Sequence, residues 1–141
     1  LLIIGNGPNL DYCKQIIIKN KIEKYIEIIS KTSNVEQFYS KSKFFVLCSN
    51  YEALPMVLIE AKSYALPCIS FDVESGPSEI INDNVDGFLV EYNNTDLLSN
   101  KILSLIKNQK KLISMSTKAY SDYNKRFSPK EIYSAWSKIL N

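Results

Sequence analysis

Two glutamates, Glu52 and Glu60, stand eight positions apart in the stretch SNYEALPMVLIEAK (49–62), directly after the apolar run FFVLC (44–48). Were residues 52 to 60 all helical, eight steps would separate their Cα atoms by about 12 Å and turn them by about 80°. Acids that cooperate across one glycosidic bond stand about 5 to 9.5 Å apart, so this spacing is too long for an acid–base pair. A longer group must lie between them. With Glu52 in a loop and a helix opening near Leu54 and Pro55, the N–H groups of Met56 and Val57 lack intrahelical acceptors and point from a helix N-terminus, a natural anion site. The order is then acid, phosphate cradle, acid. A carboxylate accepts hydrogen bonds and donates none, which suits vicinal hydroxyls. A diphosphate with a sugar on one side and a ribose on the other, a nucleotide-sugar, fits that order. The plain alternative is a solvated loop acid at Glu52 and an ordinary surface residue at Glu60 on an amphipathic helix. The two acids alone leave both readings open.

Other residue types narrow the chemistry. The chain has no His and three Cys, which excludes a catalytic His dyad or triad and argues against a zinc site. Cys48 and Cys68 lie in apolar runs, where a thiol acts as a small hydrophobe. Asp83 and Asp86 in NDNVDG read as a polar turn beside Gly87 rather than as metal ligands, and no metal is expected. GNGP (5–8) lacks the third glycine of a dinucleotide fingerprint, since position 10 is Leu10, and reads as a plain strand-to-helix turn. Seventeen basic and fifteen acidic residues leave a net charge of +2; the lysines are scattered rather than striped, which speaks against nucleic acid. No apolar run approaches the roughly 18 to 20 residues of a membrane span, and the start lacks the charged region of a signal peptide. A reducing, cytoplasmic setting is expected.

These groups need a scaffold to position them. At 141 residues with 45% apolar content, the chain is long enough for one domain with a core. LLII (1–4), YIEII (25–29), FFVLC (44–48), CISF (68–71) and GFLVEY (87–92) read as strands. Helices alternate with them: one carrying Leu10, Cys13, Ile16 and Ile17, a short one with Val35, Phe38 and Tyr39, the motif helix at about 55–65, and a short one around SEII. Short apolar strands flanked by helices predict a doubly wound parallel sheet, covered on both faces, with ligands at the carboxyl ends of its strands. Residues 95–141 are mainly helical: Leu97, Leu98, Ile102, Leu105 and Ile106 share one face, and a second helix begins near Gln109. A last helix opens at Ser128-Pro129-Lys130-Glu131, the pattern of a capping box. Its stripe of Ile132, Tyr133, Trp136, Ile139 and Leu140 is expected to pack.

The run SNYEALPMVLIEAKSYALPCISFD (49–72) resembles the signature of retaining glycosyltransferase family 4, two Glu separated by seven residues, on the C-terminal lobe of the GT-B fold. IIGNGP resembles that family's second strand and turn, VEQFYSKSKFFVLCSN the helix and strand before the motif, SGPSEIINDNVDGFLV the segment after it, and FSPKEIYSAW the closing helix. The match runs in order over essentially residues 1–141. It implies an α/β, Rossmann-like lobe that binds a nucleotide-sugar. By this resemblance Glu52 is the catalytic-site acid that contacts hydroxyls of the transferred sugar, and Glu60 holds the ribose hydroxyls. Backbone N–H groups from Leu54 through Pro55 and Met56 to Val57 meet the diphosphate, Pro55 itself having none. Lys31-Thr32-Ser33 border the base, and Gly76-Pro77 line the far side of the donor pocket. Ala53 departs from the family, where Gly is frequent. If the position needs positive φ, the Ala is strained.

The same resemblance implies a transferase that moves a hexose-type sugar from a UDP-linked donor to a glycan or lipid-linked acceptor, with retention at the anomeric carbon and without a metal. It implies surface polysaccharide synthesis by a cytoplasmic protein, with peripheral association at the inner membrane face open to the full-length molecule. Leu1 already lies inside an apolar run with no initiator Met, so a piece of a longer protein is expected, lacking the lobe's first strand and helix, its basic pair and the acceptor lobe. Upstream residues, another chain or a closed-up sheet is expected to fill the strand position between residues 1–4 and 44–48. Two rival readings are a non-catalytic Rossmann-like nucleotide-binding module and a purely structural domain.

Overall fold

The computed structural model describes residues 1–140, which divide into two compact units, one up to residue 38 and one from residue 39 onward. In the first, β1 (Leu2–Ile4) leads through the GNGP turn into α1 (Leu10–Lys19), then a 3₁₀ turn (Glu23–Tyr25) and β2 (Glu27–Ile29). The strand expected at 25–29 is shorter because Tyr25 belongs to that turn. β1 and β2 pair in parallel, Ile3 opposite Ile28. Among the described glycines only Gly76 has positive φ, and a Cβ on Gly5 or Gly7 would meet nothing within 4 Å. The turn therefore makes no steric demand for glycine within this chain. A one-turn helix, α2 (Glu36–Tyr39), follows.

The second unit holds the motif. Its strands β3 (Phe45–Leu47), β4 (Cys68–Asp72) and β5 (Gly87–Glu91) form a parallel sheet in that order, with Val46 opposite Ile69 and Ile69 opposite Phe88. Four helices accompany them: α3 (Met56–Ser63), α4 (Pro77–Ile80), α5 (Thr95–Lys107) and α6 (Gln109–Arg126), with α7 (Pro129–Leu140) closing the chain. Alternation along the strands sends side chains to both faces. Val46, Ile69, Phe71, Phe88 and Val90 meet Leu98, Leu105, Leu112 and Met115 of α5 and α6 on one face. Phe45, Leu47, Cys68 and Leu89 meet Leu58, Ala61 and Ile80 of α3 and α4 on the other. The unit is thus a doubly wound layer structure, as the apolar strand runs predict. Gly87 pairs with Cys68 at the strand start, and a Cβ there would collide with the Cys68 carbonyl oxygen.

The described strands form two hydrogen-bonded parallel sheets, β1–β2 and β3–β4–β5. Three expectations need revision. Cys48 lies one residue past β3 and is exposed, so it is no core hydrophobe, whereas Cys68 is buried. Pro129 opens α7 and Ile132 N–H donates to the Ser128 carbonyl, but the Ser128 hydroxyl turns back and donates to the Asn124 carbonyl (2.9 Å). The apolar stripe of α7 is exposed, from 44% at Ile132 to 77% at Tyr133 and Leu140, because nothing among the described residues covers it.

Candidate functional site

The mouth of α3 is built by two loops in contact. Pro55 is the N-cap residue, with φ −73° and ψ 90°, and its carbonyl accepts from Leu58 N–H (2.9 Å). Proline cannot donate and its φ suits a helix start, so the helix opens at Met56. The N–H groups of Met56 and Val57 lie in the first turn, where the helix offers no acceptor, and both residues are exposed. Against this loop lies the segment Glu74–Gly76. Gly76 has φ +96°, a region that disfavours any side chain, and a Cβ there would come within 2.6 Å of both the Ala53 carbonyl oxygen and Pro55 Cδ. The Ser75 hydroxyl donates to the Glu52 carbonyl (3.1 Å), which pins the loop that carries Glu52. Glu52 is half-buried.

Ala53 is not among the residues with positive φ, so its departure from glycine causes no backbone strain. The strained alanine is Ala65, at φ +58°. It follows α3 in a Schellman arrangement: Leu66 N–H donates to the Ala61 carbonyl (3.1 Å) and Ala65 N–H to the Lys62 carbonyl (3.0 Å). That position favours glycine.

Glu60 lies on the exposed side of α3, opposite the buried Leu58, Ala61 and Lys62. The Tyr39 hydroxyl donates to its Oε2 at 3.1 Å. Burial first, and then the negative charge of Glu60, push the Tyr39 hydroxyl well above the ordinary tyrosine range, so it stays protonated and donates. Gly76 and the loop 52–57 therefore come together at one end of α3, and Glu60 stands one turn along the same helix. Pro77 is fully buried at the first position of α4. Its contribution to the mouth is the shape of the turn rather than a contact surface. Lys31 and Thr32 belong to the first unit, just after β2; Lys31 is exposed and the Thr32 hydroxyl accepts from Asn34 N–H (3.1 Å).

Sequence reasoning missed what lies beneath the motif. Lys62 is 0% exposed, and its Nζ donates to the Ile80 carbonyl (2.8 Å), Asp86 (2.9 Å) and Asp122 (2.5 Å). Asp86, read from the sequence as part of a polar turn, is 1% exposed and also accepts from Asn82 N–H (3.0 Å) and Nδ2 (2.7 Å). Arg126 donates to Asp122 (3.3 Å) and to the Glu79 carbonyl. Burial raises the Asp122 carboxyl, but its hydrogen bond and charge attraction to Lys62, with help from Arg126, outweigh this and hold it below the ordinary range. One cluster thus ties α3 to α6 and to the segment after α4. The available signal was a lysine on the same helical stripe as Leu58 and Ala61.

The doubly wound layer, with its helix N-terminus flanked by two acids, matches the C-terminal lobe of GT-B glycosyltransferases. Residues 1–122 match the family described as glycosyl transferases group 1, and the chain belongs to that family. It is 37% identical over 141 residues to the amylovoran biosynthesis glycosyltransferase AmsD of Erwinia amylovora, covering all of this chain and 39% of that protein. A point mutant of Staphylococcus aureus TarM, solved in complex with fondaparinux, alpha-GlcNAc-glycerol and UDP, superposes with a TM-score of 0.89 at 28% identity, over 99% of this chain and 28% of TarM. The pneumococcal O-GlcNAc transferase GtfA, solved with UDP and GlcNAc, gives 0.86 at 27% identity, again over 99% and 28%. The chain therefore spans well under half the length of each of these relatives. No described helix is long and apolar enough to cross a membrane.

Proposed function

We propose that this chain is the donor-binding lobe of a retaining glycosyltransferase that moves a hexose-type sugar from a UDP-linked donor to a glycan or lipid-linked acceptor in surface polysaccharide synthesis. The observation that carries the reading is the mouth of α3. The first-turn N–H groups of Met56 and Val57, which have no intrahelical acceptor, stand between Glu52, whose loop is pinned by Ser75, and Glu60, whose carboxylate accepts from Tyr39. The diphosphate meets the N–H groups from Leu54 to Val57 and the positive end of the helix, Glu60 accepts from the ribose hydroxyls, and Glu52 accepts from hydroxyls of the hexose. Gly76 and Pro77 hold the opposing turn. Metal-free donor binding is part of this reading, so a chelator is expected to leave turnover unchanged.

In the intact protein, Glu60→Ala weakens binding of UDP and of UDP-sugars alike, whereas Glu52→Ala leaves UDP binding intact and flattens the preference among sugars. Each lost charge-assisted hydrogen bond costs roughly 1.5 to 3 kcal/mol, or about ten- to a hundredfold in affinity. Calorimetric titration of both variants with UDP and a panel of UDP-sugars tests this, and equal loss of UDP affinity in the two would sink the assignment. Residues 1–141 alone are expected to bind donor weakly and transfer nothing. Positioning of the acceptor, which can supply about 7 to 11 kcal/mol of the barrier, is assigned to a separate lobe. Acceptor-dependent release of UDP by this piece at the intact protein's rate would contradict that division. The reading places the enzyme on the cytoplasmic side, with peripheral association at the membrane face.

A further inference from the structure

We propose that Tyr39 is a positioning residue for the donor site, which orients the Glu60 carboxylate so that the protein distinguishes ribose from 2′-deoxyribose in the donor nucleotide. The inference rests on the reading of Glu60 as the ribose acid. Tyr39 ends α2, and its hydroxyl reaches twenty-one residues along the chain to donate to Glu60 Oε2 at 3.1 Å. Its ring is fixed from two sides. It stacks on Tyr64 at the end of α3, with centroids 5.5 Å apart and planes 24° from parallel, and tilts against Phe45 of β3 at 5.9 Å. The tyrosine is therefore held by β3 and the end of α3, the elements that frame the motif.

An exposed glutamate has a broad, nearly two-fold last torsion, and Glu60 is exposed. Left to itself its carboxylate would swing about that torsion and present its lone pairs in many directions. A carboxylate has about four acceptor sites on two oxygens. Tyr39 occupies one on Oε2, which fixes the plane of the group and leaves Oε1 and the second site of Oε2 for the two hydroxyls of a ribose. The Ser63 hydroxyl binds the Glu60 backbone carbonyl (2.6 Å) and does not compete for the carboxylate. A ligand without its 2′-hydroxyl fills only one of the two remaining places, so the fixed carboxylate converts a missing hydroxyl into lost affinity.

The test is a double-mutant cycle in the intact protein with UDP and 2′-deoxy-UDP as ligands, using Tyr39→Phe, Glu60→Ala and the pair together. Phenylalanine keeps both ring contacts, and melting temperatures establish that each variant is folded. Tyr39→Phe is expected to weaken UDP roughly three- to tenfold, to weaken 2′-deoxy-UDP less, and to have no effect once Glu60 is already Ala. If Glu60→Ala lowers UDP affinity but Tyr39→Phe does not, the proposal fails while the assignment of Glu60 stands. If Tyr39→Phe weakens both ligands equally, in either background, the tyrosine is only structural and the proposal is overturned. If Glu60→Ala leaves UDP binding unchanged, the assignment of Glu60 fails and the proposal with it.

Discussion

Replacing Lys62 by Met removes a buried cation while keeping most of its length. Nζ is 0% exposed and lies 2.9 Å from Asp86, itself 1% exposed, and 2.5 Å from Asp122. At an effective dielectric of about 20, two unit charges at the Asp86 distance attract by about 6 kcal/mol. Much of that attraction offsets the desolvation of the ions, which is several kcal/mol each. The variant, however, keeps the desolvated carboxylates and loses the attraction, so the expected destabilisation is roughly 3 to 5 kcal/mol. For a molecule of this size that lowers Tm by roughly 10 to 20 °C. Differential scanning calorimetry and urea denaturation of the wild type, Lys62→Met and Lys62→Met/Asp86→Asn measure it, and the double variant should recover part of the loss. The pH dependence gives a second readout. The folded-state pKa of Asp122 is depressed, so its contribution to stability is fully present above the unfolded carboxylate value and is lost as pH falls below about 4. Lys62→Met keeps only the weaker pull of Arg126 on Asp122 and has less of this contribution to lose, so its deficit should narrow on acidification. A Tm within about 2 °C of wild type, with no pH dependence of the difference, would refute the reasoning.

Ala65→Gly should stabilise the protein by roughly 0.5 to 1 kcal/mol, because the relief of a left-handed alanine exceeds the added freedom of the unfolded chain; an unchanged or lower urea midpoint would count against it. Gly76→Ala should do the opposite, costing roughly 1 to 3 kcal/mol from backbone strain, and should weaken UDP binding, since the clash is with Ala53 and Pro55, which lead into the N–H groups assigned to the diphosphate. Burial pushes the Cys68 thiol up to about 12, against a smaller opposing pull from Lys62. A thiol reagent on the folded protein should therefore label Cys13 and Cys48, both exposed, and reach Cys68 only in denaturant; mass spectrometry of peptides after a timed alkylation checks this.

The motif and its scaffold were legible in the sequence for a physical reason. Strands buried on both faces are short continuous apolar runs, and the strands that contain Val46, Ile69 and Phe88 stand where those runs predict. The mouth of α3 was legible because Pro55 must start rather than continue a helix. Contacts between distant segments were not. Nothing local in VEQFYSKS tells that Tyr39 reaches Glu60, and nothing in NDNVDG tells that Asp86 faces inward, because each pairing depends on how α2, α3 and the segment after α4 pack. The departure at Ala53 drew attention through family habit, whereas the strain lies at Ala65, where the Schellman geometry requires φ above zero.

The Lys62 cluster bears on how sharply the acids can be aimed. Glu60 precedes Lys62 by two residues on a helix of only eight, whose buried side chains besides Lys62 are Leu58 and Ala61. A leucine and an alanine against an apolar wall resist sliding, but dispersion contacts are nearly indifferent to a small roll of the helix about its axis. Three directed hydrogen bonds from one ammonium to a carbonyl and two carboxylates are not indifferent. With side-chain tips about 5 to 6 Å from the axis, a roll of about 20° would carry a carboxylate on the far side through about 2 Å. Misplacement of about 1 Å can cost a hundredfold in rate. The cluster works as a torsional key: what it fixes on the dry side of α3 is the angular setting of the acid on the wet side.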